Sequence, residues 1–215
     1  MTKRFITFEG GEGAGKSTQI QLLAAAFKSA GIEAVTTREP GGSKGAEAIR
    51  ALVVNSDAQA WDAVTESLLF MTARYDHVET LIQPALDRGE WVLCDRFFDS
   101  TLVYQGLGKG VGVEWLERLY ALLFGPLVPE FTLLLDLDPA QGLARAAARG
   151  NAAESRFEKL GLEYHQRLRE GFLALAMAEP RRIRVIDAAE DVASIHAEII
   201  AAINERFGLA LTPSR

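Results

Sequence analysis

The chain has 215 residues, 48% of them hydrophobic and 24% charged, with a formal net charge of −6. That length suits one domain spanning residues 1–215, large enough to bury a core without staples, and the acidic balance argues against nucleic acid as a main partner. With one cysteine, Cys94, no signal peptide and no apolar run of about 18 residues, the expectation is a soluble cytoplasmic protein with no membrane partner.

The first element is a short apolar strand over Arg4–Phe8. It leads into Gly10-Gly11-Glu12-Gly13-Ala14-Gly15-Lys16-Ser17, which fits the phosphate-loop pattern G-x-x-x-x-G-K-[ST]. Thr18 follows, and Ile20, Leu23 and Phe27 share one face of the helix beyond. Strand, glycine loop and helix together are the context in which backbone N–H groups turn inward around phosphates. Lys16 would then reach the β/γ-phosphates, and Ser17 could hold Mg²⁺. The loop implies a nucleoside triphosphate and leaves open what is done with it.

Further strand-like runs are Glu33–Thr37, Trp91–Cys94, Thr132–Leu137 and Ile183–Ile186, with helical patterns between them. The last helix, Val192–Phe207, carries Ile195, Ile199, Ile203 and Phe207 on one stripe. This alternation predicts an α/β fold: a five-stranded parallel sheet with helices on both faces, and ligands at the carboxyl ends of the strands.

Charged clusters fall near those strand ends. Thr37-Arg38-Glu39-Pro40-Gly41-Gly42 is a turn in which Arg38 could hold a phosphate or simply be solvated. Around Glu66–Tyr75, Phe70 and Arg74 are four residues apart and share a helix face. Such a pair could stack on and hydrogen-bond a flat base, but pattern alone favours Phe70 as core and Arg74 as a surface charge. Trp91-Val92-Leu93-Cys94-Asp95-Arg96 is an apolar strand ending in an acid, as in a Walker B segment. Asp95 would hold Mg²⁺ directly or through water, with a phosphoryl group near Arg96. Ser100, Thr101, Tyr104 and Gln105 are hydrogen-bonding types in one short segment, and Gly106, Gly108, Gly110 and Gly112 around Lys109 read as a mobile loop. Arg145 and Arg149 lie on one helix face before a small, polar stretch and Arg156, which together read as a positively charged lid over about residues 145–160.

Taken together, Phe8-Glu9-Gly10 with the phosphate loop, Thr37–Gly42, Phe70 with Arg74, Asp95-Arg96, Ser100-Thr101, Tyr104-Gln105-Gly106, Arg149 and Arg156 resemble the bacterial thymidylate kinases, nearly end to end. The resemblance implies phosphorylation of dTMP to dTDP by ATP with Mg²⁺, a three-layer P-loop fold with a flexible lid, and a homodimer. It also implies roles. Residues Gly10 to Thr18, with Arg145 near the adenine, would bind ATP. Phe70 would stack on thymine and Arg74 would bond its edge, with Thr101 and Gln105 completing the base pocket beside Ser100. Tyr104 would lie against the deoxyribose, Glu12 would reach the 3′-OH or a metal-bound water, and Arg38 and Arg96 would hold the acceptor phosphate. Lys16, Arg149 and Arg156 would meet the transferring group, with Asp95 as a metal and orientation residue. Lys109 stands where an arginine is expected. Two alternatives stay open: a kinase for another nucleoside monophosphate, and a nucleotide-dependent switch. The pair Arg38 and Arg96 speaks against the switch, which has no second anion to hold.

Overall fold

In the computed structural model, residues 4–54, 60–149 and 160–213 are described. Five parallel strands, β1 (Phe5–Glu9), β2 (Ala34–Arg38), β3 (Trp91–Asp95), β4 (Phe131–Asp136) and β5 (Ile183–Asp187), form one sheet in the order β2-β3-β1-β4-β5. Each lies within a residue or two of the run expected for it. The chain runs from central β1 out to the β2 edge and back to β3, then crosses to β4 on the other side of β1. That reversal puts the switch point, where open α/β sheets bind ligands, at the end of β1.

Alternation along β1 decides what each face receives. Ile6 and Phe8 face a core shared with Ile20, Leu23 and Phe27 of α1 (Lys16–Ser29). Ile195, Ile199 and Ile203 of the carboxyl-terminal helix Val192–Phe207 join the same core, with Phe207 partly buried against it. That helix has its expected bounds because Asp191 caps it, accepting from the backbone N–H groups of Ala193 and Ser194 at 2.9 and 3.0 Å. Phe5, Thr7 and Glu9 point to the opposite face. Phe5 joins Val92, Cys94 and Phe97 there, with Met71 of α3 (Ala63–His77), Ala85 of α4 (Gln83–Asp87) and Leu116, Tyr120 and Phe124 of a further helix, Val113–Phe124. Between α1 and α3, α2 (Lys44–Val54) packs on α3. After β3, α5 (Phe98–Thr101) runs on into a wide π-type turn over Leu102–Gly108, followed by α6, the Val113–Phe124 helix. Beyond β4 come α7 (Pro139–Arg149), α8 (Leu162–Ala178) and, after β5, α9, the Val192–Phe207 helix.

Two of the four glycines around Lys109 belong to a packed turn and not to the loop expected of them, while Gly110 and Gly112 stand exposed beyond it with φ 73° and 98°. Gly106 and Gly108 lie in the wide turn, whose Val103 and Tyr104 are buried against Tyr164, Leu168 and Phe172 of α8. A Cβ on Gly108 would come within 2.9 Å of the Tyr164 hydroxyl, so glycine serves close packing here. Among the described residues, no helix is long and apolar enough to cross a membrane.

Candidate active site

The parallel register brings the strand ends together: Arg38 pairs with Asp95 across β2 and β3, and Phe8 with Asp95 across β1 and β3. The phosphate loop leaves β1 at this edge. Gly10 has φ 132° and packs so closely on the Leu135 carbonyl that a Cβ would collide with it. Gly15, at φ 88°, precedes α1, whose free N–H groups and dipole face the loop. Lys16 is buried, and its Nζ donates to the carbonyls of Gly10 and Gly11 at 3.2 and 2.8 Å. Burial and the nearby Arg96 lower its pKa, opposed by Asp95, Glu12 and Glu9. The Ser17 hydroxyl donates to Asp95 Oδ2 at 2.7 Å. A hydroxyl and one carboxylate, both hard oxygen donors, fit Mg²⁺, which takes one or two protein carboxylates and fills its shell with phosphate and water.

A single cavity runs from Glu12–Ser17 past Arg38, Asp95 and Arg96 to Phe70, Arg74, Ser100, Thr101, Tyr104 and Gln105. Phe70 and Arg74 are therefore not core and surface, as pattern alone suggested: both are buried and both line this cavity. The Arg74 guanidinium is held from several sides. Its Nε donates to Glu39 Oε2 at 2.7 Å, and its Nη2 to the Phe97 carbonyl at 3.1 Å and Thr101 Oγ1 at 3.0 Å. Glu39 also meets His77 Nδ1 at 3.0 Å, while His77 Nε2 meets Thr37 Oγ1 at 2.7 Å. Glu39 thus fixes the plane of Arg74, a role the sequence offered only through its place in the Thr37–Gly42 turn.

Arg96 is the hub of the cavity wall beside Glu12, Ser100 and Tyr104. It has φ 67°, the one described non-glycine residue with positive φ. Nη1 donates to the Gly10 carbonyl at 2.9 Å and Ser100 Oγ at 3.1 Å, Nη2 donates to Glu12 Oε1 at 2.9 Å, and the Tyr104 ring lies 5.1 Å from the guanidinium carbon. Tyr104 also donates its hydroxyl to Glu12 Oε1 at 2.8 Å. Burial would raise the Glu12 carboxyl, but Arg96 and Lys16 outweigh it and bring its pKa down to about 2, so Glu12 is ionised at neutral pH. Beneath this layer, Glu9 accepts the Phe97 N–H at 2.7 Å and the Ser100 hydroxyl at 2.6 Å. Burial, with Asp99 nearby, raises the Glu9 pKa to about 7. Glu9 therefore anchors the strained segment that carries Arg96, which its mere presence in a strand did not reveal.

Arg38 is half exposed at the cavity edge, paired with Glu47 at 3.2 Å. Arg50, which the sequence reading passed over, also lines the cavity and donates to the Pro40 carbonyl at 2.8 Å. Its position on α2 opposite the Pro40 turn was not visible in a linear pattern. Thr18 is exposed on the first turn of α1. Arg145 lies away from the cavity, donating to the carbonyls of Ala188 and Ala189 after β5 at 2.9 and 3.4 Å. Arg149 closes α7, and Arg156 lies outside the described residues.

A phosphate nest and an arginine-lined second anion site, opening into one cavity at the switch point of a parallel sheet, define a phosphate-loop kinase of the nucleoside monophosphate class. The Thymidylate kinase family model matches residues 8–199. The chain is 53% identical to the thymidylate kinase of Caulobacter vibrioides over 205 residues, covering 95% of this chain and 98% of that one. It is 48% identical to that of Magnetococcus marinus over 207 residues, covering 96% and 98%. The crystal structure of thymidylate kinase from Ehrlichia chaffeensis superimposes with a TM-score of 0.75 at 34% identity, covering 93% of this chain and 97% of that one. The chain belongs to the thymidylate kinase family.

Proposed function

We propose that this protein transfers the γ-phosphoryl group of ATP to dTMP, giving dTDP and ADP. The observation that carries this reading is the single cavity in which the Lys16 loop and the Arg38–Arg96–Arg74 pocket meet at Asp95. In the reaction the bond from the γ-phosphorus to the β–γ bridging oxygen breaks, and a dTMP phosphate oxygen bonds to that phosphorus. The second pKa of a phosphate monoester is about 6, so the nucleophile is already ionised and no strong base is required. Asp95 then orients, and Ser17 and Asp95 would hold Mg²⁺, whose charge offsets that of the transferring phosphates. Arg96 and Arg38 neutralise the acceptor, Lys16 meets the γ-phosphate, and Arg149 and Arg156, from a lid over about residues 145–160, supply further positive charge. Glu12, held by Arg96 and Tyr104, would reach the sugar 3′-OH or a metal-bound water, and Tyr104 would lie against the deoxyribose. Phe70 stacks on the base, while Arg74, a donor only, suits the O4 acceptor of thymine.

A homodimer is part of the same reading. Leu68 and Tyr75 of α3 and Leu122 of α6 stand exposed on adjoining helices, Leu122 at 84%. A cytoplasmic location fits the unpaired, buried Cys94. The test is a coupled ADP-release assay with ATP, Mg²⁺ and each of dTMP, dUMP, dCMP, AMP and GMP. Preferred turnover of dTMP is the expected result. Preference for a purine monophosphate, or ADP release independent of any acceptor, overturns the reading.

A further inference from the structure

Glu66 is fully buried on α3, one helical turn before Phe70 and two before Arg74, so it shares their face. A carboxylate in that position is costly unless it is paired and hydrogen-bonded. Lys109 supplies the charge, its Nζ lying 2.7 Å from Glu66 Oε2 at the end of the wide turn. The other oxygen, Oε1, accepts from Nε2 of Gln105 at 2.9 Å. Gln105 is itself buried and lines the cavity next to Arg74's partner Thr101.

An ionised carboxylate can only accept, and a primary amide has one accepting and one donating end. Glu66 therefore takes the donating end of Gln105 and leaves the accepting oxygen for a ligand. We propose that Glu66, paired with Lys109, is a positioning residue that fixes the amide orientation of Gln105 and so sets the pocket for a base with an N3–H. The inference rests on the dTMP reading above and deepens it. Arg74 presents donors and Gln105 presents an acceptor, which together complement the O4 and N3–H of thymine. Cytosine carries an amino group and a bare N3 at the same two positions, so it is mismatched at both. Once Glu66 loses its charge the amide is free to turn over, and half of this discrimination goes with it. Sequence reading treated Glu66 only as the start of a helix and gave Lys109 no role.

The test compares dTMP with the monophosphate of 5-methyldeoxycytidine, which keeps the methyl group and changes only the N3/O4 edge. For the wild type, Glu66→Gln and Lys109→Met, kcat/KM is measured for both substrates, with Tm as a check on folding. Glu66→Gln keeps the size of the side chain but can offer either a donor or an acceptor to Gln105. The expected result is a fall of at least tenfold in the dTMP-to-methylcytidine ratio for Glu66→Gln, carried mainly by KM. Lys109→Met, at a partly buried position behind Glu66, should lower the ratio at least threefold, and it decides the matter should Glu66→Gln fail to fold. Simple structural damage would lower both substrates together. A ratio within twofold of wild type in the folded variants therefore overturns the proposal while leaving the dTMP reading intact. A wild type that does not use dTMP overturns both.

Discussion

Replacing Arg96 separates two effects that the structure combines in one residue. In the proposed reaction its charge at the acceptor phosphate would offset the repulsion between two anions. At an effective dielectric of about 20, two unit charges 4 Å apart interact by about 4 kcal/mol, or about 10³-fold in rate. Arg96→Ala should therefore lower kcat/KM for dTMP by about 10³, and Arg96→Lys, which keeps the charge but loses the fork that bonds Gly10, Ser100 and Glu12, by an intermediate amount. Stability responds differently. Removing Arg96 takes its ion pair from the largely buried Glu12, which keeps the Tyr104 hydroxyl and the nearby Lys16, a loss of about 1–3 kcal/mol. Arg96 also sits at φ 67°, which costs a non-glycine residue about 1–2 kcal/mol. Arg96→Gly should thus be more stable than Arg96→Ala by about 1 kcal/mol while being equally inactive. Steady-state kinetics and urea unfolding of the three variants check both parts. An Arg96→Ala enzyme within tenfold of wild type refutes the acceptor role, and equal stability of the Gly and Ala variants refutes the strain.

Lys16→Ala should remove most turnover with Tm little changed, since Nζ donates to the loop carbonyls of Gly10 and Gly11; near-wild-type kcat in a folded variant would defeat the phosphate-loop assignment. Glu9→Gln should flatten the pH dependence of stability between about pH 4.5 and 7. The folded pKa of Glu9 is raised to about 7, so its contribution is fully present below the unfolded value of 4.5 and is lost as pH rises through 7; the variant should match wild type near pH 5 and exceed it by pH 8, and parallel profiles count against that account. Arg149→Ala and Arg156→Ala, made separately, should each lower kcat more than they weaken ATP binding, and variants that both stay within about threefold, roughly 0.7 kcal/mol, leave the charge to Lys16 and Mg²⁺ alone.

By itself the sequence determined what short-range chemistry can encode. The glycine loop declares its conformation because only glycine tolerates the φ of Gly10 and Gly15. The five strands and the Val192–Phe207 helix are written in apolar spacing and in the Asp191 cap, both local. Asp95, at the end of a buried strand, was likewise readable. What only the tertiary structure decided are the meetings between residues far apart in the chain. Phe70 and Arg74 looked like core and surface because helical spacing says which residues share a face and not what that face meets. Glu39 reaches Arg74 from the turn after β2, Glu9 reaches Ser100 from β1, and Glu66 reaches Gln105 and Lys109 from α3. The glycines after Gln105 read as a loose loop because small residues carry no record of the neighbours they admit. Buried carboxylates leave no periodic trace, since a single ionised group is stabilised by partners that the fold brings from elsewhere, and here such carboxylates orient Arg74, Arg96 and Gln105.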